Sequence, residues 1–239
     1  AIFGVFFIKG DYNTIRKRIV KMLKRLLPRG PDATGLTHYE INGAHCFIGH
    51  QRLSVVDPFH GDQPFFGQHK KTASITNGEI YNHFDLRKKL KKEYKFLGHS
   101  DCEVVPLLYD EGYSVPEIAN MLHGIFSSVI FDIEQQRIFI MRDHMGIIPC
   151  YIGRGPQGEL YLASELKAFH DFATSIEILL PGHYYDSSTH KQTRWYNPMY
   201  YTPSLVPTQK VDFTKIRDLL ISSVKRRLMC DVPFGVLLS

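Results

Sequence analysis

The most informative stretch of this sequence reads TNGEIYN, residues 76–82. Within it, Asn77 places a side-chain amide donor beside the unhindered backbone N–H of Gly78. Such a pair could hold a developing oxyanion, and donors of this kind typically lower the barrier of acyl transfer by about 3 to 4 kcal/mol. Asn-Gly is also the commonest two-residue hairpin turn, so the stretch on its own favours a turn between two strands. The surrounding motifs are needed to decide between these interpretations.

Five other motifs accompany this stretch, and their order along the chain is informative. They are RGPD at residues 29–32, HQRLSVVD at 50–57, SDCE at 100–103, RDHMGIIP at 142–149 and ASELKA at 163–168. Together with TNGEIYN they resemble the glutaminase domain of class II glutamine amidotransferases, a family of N-terminal nucleophile enzymes. The end of the chain, RLMCDVPFGVLLS at 227–239, is similar to the lead-in to the pyrophosphate-binding loop of glutamine-hydrolysing asparagine synthetases. The resemblance runs from Ala1 to Ser239.

The resemblance implies an α+β fold of the N-terminal nucleophile (Ntn) hydrolase type, a four-layer α/β/β/α sandwich of two antiparallel sheets. The apolar patterns agree with this, because they predict many strands joined by short turns. The predicted strands are residues 2–8, 45–56, 72–76, 125–133, 137–141, 149–152, 159–163 and 182–185. An amphipathic helix is expected from about Asn13 until Pro28 stops it.

Two capping boxes predict further helices. Ser100 and Glu103 are expected to open a helix that Pro106 kinks, since an interior proline removes a hydrogen bond. Ser114 and Glu117 are expected to open a second, shorter helix.

The chain is predicted to divide into two parts. Residues 1–197 correspond to the glutaminase domain, and prolines at 198, 203 and 207 indicate a linker over residues 198–210. Residues 211–239 are expected to begin an α/β domain of the ATP-pyrophosphatase type, with a helix capped by Asp212 and a strand at 236–238. The chain is therefore interpreted as the N-terminal part of a two-domain synthetase.

The resemblance assigns roles to the candidate site residues. Arg52 would clamp the α-carboxylate of glutamine, and a surface ion pair with Asp57 is the alternative. Asp101, with Glu79 nearby, would bind the α-amino group, while Asn77 and Gly78 would form the oxyanion hole. The other expected contacts are Leu53, Ser54, Val55 and Val56 for glutamine, and Leu237 and Ser239 for ATP. Structural roles in turns and at the domain interface are expected for residues 29–32, 142–149 and 164–167.

The nucleophile of the family is an N-terminal cysteine, whereas this chain begins with Ala1. The run Ile2-Phe3-Gly4-Val5-Phe6 matches the family best when Ala1 is the second residue. The cysteine is therefore expected immediately before Ala1. Its thiolate would attack the side-chain carbonyl of glutamine, and its own α-amino group would carry the proton.

The resemblance implies glutamine as the substrate of the glutaminase domain, which would need no cofactor. The released ammonia would pass to the synthetase domain, where aspartate is amidated with ATP and magnesium. A homodimer is a further expectation. Two alternatives stay open: a glutamine-binding or regulatory module that has lost its nucleophile, and the glutaminase domain of another class II amidotransferase.

Composition favours a cytoplasmic protein that binds neither nucleic acid nor membranes. Much of the formal charge of +5 comes from the basic face of the first helix, and solvated charge of this kind is not a nucleic-acid motif. No apolar run approaches the about 18 residues of a membrane span, and no signal peptide opens the chain. The four cysteines are scattered, which argues against a zinc site or a disulfide framework. The sequence also contains no Asn-x-Ser/Thr glycosylation site.

Overall fold

Two antiparallel sheets of six strands each form the centre of the computed structural model, which describes residues 1–202, 204 and 210–237. The first sheet has the order β10-β8-β9-β1-β3-β2 and the second the order β12-β11-β7-β6-β5-β4. The strands are β1 (Ile2–Ile8), β2 (Ala33–Ile41), β3 (Ala44–Arg52), β4 (Phe65–Phe66), β5 (Thr72–Ile80), β6 (Gly124–Asp132), β7 (Arg137–Arg142), β8 (Tyr151–Arg154), β9 (Leu160–Ala163), β10 (Ser175–Ile178), β11 (His183–Asp186) and β12 (Lys191–Arg194).

Helices cover the outer face of each sheet. The α-helices in the described ranges are α1 (Tyr12–Lys24), α2 (His83–Lys89), α3 (Val104–Asp110), α4 (Val115–Met121) and α5 (Phe213–Arg226). Short 3-10 helices occur at Leu27–Arg29, Asp101–Glu103, Leu166–Ala168 and Met199–Tyr201. No helix within these ranges is both long enough and apolar enough to cross a lipid bilayer.

Three apolar clusters separate the layers. Successive side chains of a strand point to opposite faces of its sheet, so Ile2 and Phe6 of β1 face the second sheet while Phe3 and Val5 pack against α1. The outer face of the second sheet packs against α2, α3 and α4. The helix-sheet-sheet-helix order confirms the predicted four-layer sandwich.

The predicted α1 is confirmed, and so is one of the two capping boxes. The Asp11 carboxylate caps α1 by accepting a hydrogen bond from the Thr14 N–H at 2.8 Å, and the helix ends at Lys24, before Pro28. At α4, the Glu117 carboxylate accepts hydrogen bonds from the Ser114 N–H at 2.8 Å and from its hydroxyl at 2.6 Å.

The prediction of a capping box at Ser100 is wrong. Its side chain makes no capping hydrogen bond with the described residues, and a 3-10 helix over Asp101–Glu103 precedes α3. The interior position expected for Pro106 is also wrong, because Pro106 is the third residue of α3, and the predicted kink loses its basis. In that first turn a proline removes no helical hydrogen bond, since the N–H would have had no partner within the helix.

The interpretation of Asn77-Gly78 as a hairpin turn is wrong. β5 continues through both residues to Ile80, with Asn77 opposite Ser127 and Gly78 opposite Phe126 in β6. Gly78 has φ of +137°, and a Cβ atom there would lie 1.9 Å from the Ile125 carbonyl oxygen. A glycine is therefore required inside this strand.

The helix expected near the end of the chain is confirmed, whereas the strand is not formed at its described residues. Asp212 caps α5 as predicted, accepting from the Lys215 N–H at 3.0 Å. The strand expected at 236–238 is not formed at Val236 and Leu237, which are exposed and irregular, and Leu238 lies outside the described residues. The linker at 198–210 lies partly outside them too. The division into domains therefore stays a prediction.

Replacement of Gly78 by alanine should strongly destabilise the chain, whereas Gly112→Ala should cost only about 1 to 2 kcal/mol of the free energy of unfolding. Gly112 also has a positive φ, +89°, but apart from its chain neighbours no described atom lies within 4 Å of where a Cβ atom would be. The comparison thus separates the steric cost at Gly78 from backbone strain. Urea unfolding would measure both, and equal losses would contradict the close contact with Ile125.

Candidate active site

A cavity of about 200 Å³ opens between the two sheets, beside the first residue of the chain. Each predicted substrate contact except Ser54 is among the residues that line it: Arg52, Leu53, Val55, Val56, Asn77, Gly78, Glu79 and Asp101. These residues are dispersed along the sequence from β3 to the 3-10 helix at Asp101–Glu103. The structure therefore brings them together, and their roles toward a ligand stay predictions.

The alternation of strand residues explains this convergence. In β3, Cys46 and Ile48 face the core between the sheets, so Arg52 at the end of the strand points the same way. In β5, Ala73 and Ile75 face that core from the other side, which directs Asn77 toward the first sheet. Arg52 and Asn77 therefore lie just beyond the last apolar core residues of their strands.

Arg52 is buried and holds the loop that follows β3. Its terminal nitrogens donate to the carbonyl oxygens of Val56 at 3.1 Å, Asp57 at 2.6 Å and Pro58 at 3.1 Å. They also donate to the carboxylate of Asp62 at 2.9 Å. The alternative of an ion pair with Asp57 is wrong, because Arg52 contacts the backbone carbonyl of that residue and forms its ion pair with Asp62.

Two carboxyl groups give the cavity a negative side. Asp101 is buried and accepts a hydrogen bond from the Ile80 N–H at 2.7 Å. Burial nevertheless raises the pKa of Asp101. Burial, and then the nearby charge of Asp101, also raises the pKa of Glu79. A cation between these groups would stabilise their ionised forms, so this part of the cavity suits an ammonium group.

The amide of Asn77 is tied to the start of the chain through Ser164. The Ser164 hydroxyl oxygen accepts from the Ile2 N–H at 3.0 Å and lies 3.4 Å from the Asn77 side-chain nitrogen. Ser164 is fully buried, which agrees with the structural role expected for it. The side-chain amide of Asn77 therefore lies beside the start of β1.

Arg142 also has the expected structural role, because its guanidinium donates to the carbonyl oxygens of Gly146, Ile148 and Leu179 at 2.6 to 2.7 Å. Arg29 differs, since it lines the cavity although a purely structural role is expected. Ser54 is the opposite case, because its N–H donates to Asp32 at 2.8 Å and it is absent from the described lining.

Sequence reasoning missed His50, Gln63 and Cys102, which also line the cavity. Burial holds the pKa of His50 well below its ordinary value of 6.5. The ring is therefore neutral at physiological pH. Its position two residues before Arg52 in the same strand was the available signal. Cys102 lies within the SDCE motif at 100–103, which assigned a role only to Asp101, and no sequence pattern marks Gln63.

Of the predicted ATP contacts, the described one does not line this cavity. Leu237 is fully exposed, and Ser239 lies outside the described residues. Both stay predictions.

Comparison with known proteins identifies the family. A family model described as a glutamine amidotransferase domain matches residues 1–196. The chain belongs to the glutamine amidotransferase domain family. This agrees with the cavity, whose lining comes entirely from the matched residues.

The relatives of this glutamine amidotransferase domain include plant asparagine synthetases. It is 40% identical over 239 residues to a nodule asparagine synthetase [glutamine-hydrolyzing] from Pisum sativum, covering 100% of the chain and 40% of the relative. Against asparagine synthetase [glutamine-hydrolyzing] 2 of Arabidopsis thaliana it is 43% identical over 224 residues, covering 94% of the chain and 37% of the relative. The chain thus spans about two fifths of the length of these relatives.

Solved structures support the fold. A glutamine phosphoribosylpyrophosphate amidotransferase from B. subtilis matches with a TM-score of 0.63 and 20% identity, over 82% of this chain and 49% of that one. A class-II glutamine aminotransferase domain protein from Silicibacter pomeroyi matches with a TM-score of 0.51 and 12% identity, over 81% and 98% of the two chains. At these identities the likeness shows the Ntn-type fold alone.

Asp101→Asn should raise the midpoint of thermal unfolding at neutral pH. A carboxyl whose pKa is raised in the folded state binds its proton more tightly there than in the unfolded chain, so its ionisation costs stability. This loss of stability is absent at pH values below the ordinary pKa of 3.8. It grows as the pH rises toward the raised pKa and is constant above that pKa. Asparagine carries no charge, and its side-chain oxygen can still accept the Ile80 hydrogen bond.

Melting curves between about pH 3 and pH 8 would test this, with the exposed Asp218→Asn as the matched control. The gain of Asp101→Asn should disappear at the acid end, and the control should change little. A lower midpoint for Asp101→Asn at neutral pH would show that the ionised Asp101 supports the fold.

Proposed function

We propose that this chain is the glutamine-hydrolysing part of an asparagine synthetase. The single observation that carries the proposal is the cavity between the sheets, which joins a buried guanidinium, two carboxyl groups and the Asn77-Gly78 amides. One water needs about 15 Å³ of cavity volume measured in this way, so a cavity of about 200 Å³ has room for a molecule the size of an amino acid. Family membership and the plant relatives support glutamine as that amino acid.

The charges of the cavity favour one orientation of glutamine. The α-amino group would lie at Asp101 and Glu79, where burial without a cation raises both carboxyl pKa values. The α-carboxylate would lie at Arg52, where it would share or replace the Asp62 carboxylate as the partner of the guanidinium. The side-chain carbonyl would then reach Asn77 and the backbone N–H of Gly78.

The register of β1 supports the position proposed for the nucleophile. Ala1 pairs with Gln51 of β3, since its carbonyl oxygen accepts from the Gln51 N–H at 2.9 Å. Ile2 faces the space between the sheets and Ala1 the helix side, so a residue before Ala1 would face the space between the sheets again. It would lie opposite Arg52, beside the cavity. This alternation supports the cysteine expected at that position.

The proposed reaction splits amide hydrolysis into two steps. The cysteine thiolate attacks the side-chain carbonyl carbon of glutamine, while Asn77 and Gly78 stabilise the oxyanion. The C–N bond then breaks, protonated nitrogen leaves as ammonia, and a thioester remains. Water hydrolyses the thioester to glutamate and restores the thiol.

The remainder of the proposal concerns the whole protein. The ammonia would amidate aspartate with MgATP as co-substrate, in a part of the protein beyond these 239 residues. The names and lengths of the plant relatives support this step. A cytoplasmic location belongs to the same proposal and is supported by the scattered cysteines and the absence of glycosylation sites. The homodimer stays a prediction of the resemblance.

Arg52→Ala in the whole enzyme, with the cysteine before Ala1, should lower the glutamine-dependent kcat/KM by about 100-fold, the cost of removing one partner of a buried charge pair. The reaction driven by added ammonium should change little, because ammonia has no α-carboxylate to bind. The two rates of asparagine formation would be measured side by side.

Asp62→Asn is the control, since it removes the ion pair of Arg52 with Asp62 but keeps the guanidinium. It should leave the glutamine-dependent rate within a few-fold of wild type, or raise it. Equal losses of both activities in Arg52→Ala would contradict the binding role, and would assign Arg52 to the support of residues 56–62.

A further inference from the structure

A short segment after α5 lies against the outside of the glutamine cavity. We call residues 227–231 the outer segment. Asp231 makes three hydrogen bonds: its carboxylate accepts from the Asp57 N–H at 2.8 Å and pairs with the His99 ring at 2.7 Å, and its N–H donates to the Val55 carbonyl oxygen at 2.9 Å. The partners are separated from Asp231 by at least 132 positions along the chain, so these are tertiary contacts.

These partners lie in or next to the wall of the cavity. Val55 lines the cavity, Asp57 directly follows the lining residue Val56, and His99 directly precedes the lining residue Ser100. The buried Asp57 carboxylate accepts from the His99 N–H at 2.8 Å and from the His60 N–H at 3.1 Å. It therefore joins the loop after β3 to the residues just before Asp101.

Asp57 needs this support because its backbone is strained. Its φ is +50°, in the left-handed region that residues other than glycine seldom adopt. Such a conformation persists only where the surroundings determine it, and it commonly occurs at ligand-binding loops. Asp231 fixes it from outside, by accepting the Asp57 N–H, while Arg52 fixes it from inside, by donating to the Asp57 carbonyl oxygen.

The other end of the outer segment contacts a residue close to β5, the strand that carries Asn77 and Glu79. The guanidinium carbon of Arg227 lies 5.5 Å from the centroid of the Tyr81 ring. Tyr81 follows directly on β5, two residues after Glu79. The outer segment thus contacts the loop after β3 at one end and the residue that follows β5 at the other.

We propose that Asp231 is a positioning residue of the glutamine pocket, and that through it glutamine binding and the placement of the outer segment are coupled. The inference rests on the proposed function for the identity of the ligand. Coupling of this kind is reciprocal: if the outer segment improves glutamine binding, glutamine must stabilise the outer segment by the same free energy. The segment that leads to the predicted nucleotide loop would thereby sense whether the pocket is filled.

Calorimetric titration of the 239-residue chain with glutamine tests the first half. Asp231→Ala should weaken binding by about tenfold, the scale of one or two lost hydrogen bonds to a charged group. Asp231→Asn keeps one acceptor oxygen and should restore part of the affinity. Asp218→Ala removes an exposed carboxylate from the neighbouring α5 and should leave the affinity unchanged.

Hydrogen exchange followed by mass spectrometry tests the second half. Glutamine should slow amide exchange in residues 227–231 of the wild-type chain and should have no such effect in Asp231→Ala. If Asp231→Ala only loosened the fold, exchange at residues 227–231 would rise in that variant with and without glutamine alike. Equal affinities of the wild type and Asp231→Ala, or an outer segment indifferent to glutamine, would overturn the inference.

The same experiment separates this inference from the proposed function. If the wild-type chain does not bind glutamine, the proposed function falls. The ligand-free comparison then decides the positioning role: faster exchange at residues 55–57 in Asp231→Ala supports it, and unchanged exchange overturns it.

Discussion

The packing of the two sheets against each other is the constraint on which the site depends. Burial of Ile48 from β3 and Ile75 from β5 in one shared core fixes which face of each strand points inward. A slip of one residue in either strand would turn its whole set of side chains to the other face. Arg52 and Asn77 meet across the cavity only because their strands keep this register beyond the last apolar residue.

The cavity has the electrostatic character of a binding site, because the ionised forms of its two carboxyl groups cost folding stability unless a cation lies beside them. Asp101 is buried, and its pKa is raised even though it accepts a backbone hydrogen bond. Glu79 beside it has a raised pKa for the same reason. Charges arranged in this way weaken the fold and favour a cationic ligand, a balance often found where function and stability compete.

The sequence predicted the interior of the fold better than its edges. Strand predictions fell on the central strands, whose residues are apolar on one or both faces. The strands that were missed, β2, β4, β10 and β12, are the four edges of the two sheets. An edge strand pairs on one side only and is less buried, so its apolar pattern is weak; β10, for example, is exposed throughout.

For the site, motifs located Arg52, Asn77, Glu79 and Asp101, but their partners depended on tertiary contacts. The pairing of Arg52 with Asp62 and the backbone of the following loop follows from the path of that loop, which no motif specifies. His50 was missed although it shares a strand face with Arg52. The contact of Asp231 with Asp57 joins residues 174 positions apart and has no local signal.

We propose that glutamine lies between the sheets with its side-chain amide at Asn77 and Gly78. A crystal structure of the 239-residue chain with glutamine tests it most directly. The amide oxygen should lie within about 3 Å of the Asn77 side-chain nitrogen and the Gly78 N–H, with the α-amino group at Asp101 and Glu79. Glutamine bound outside this cavity, or bound with its α-carboxylate at Asn77, would contradict it.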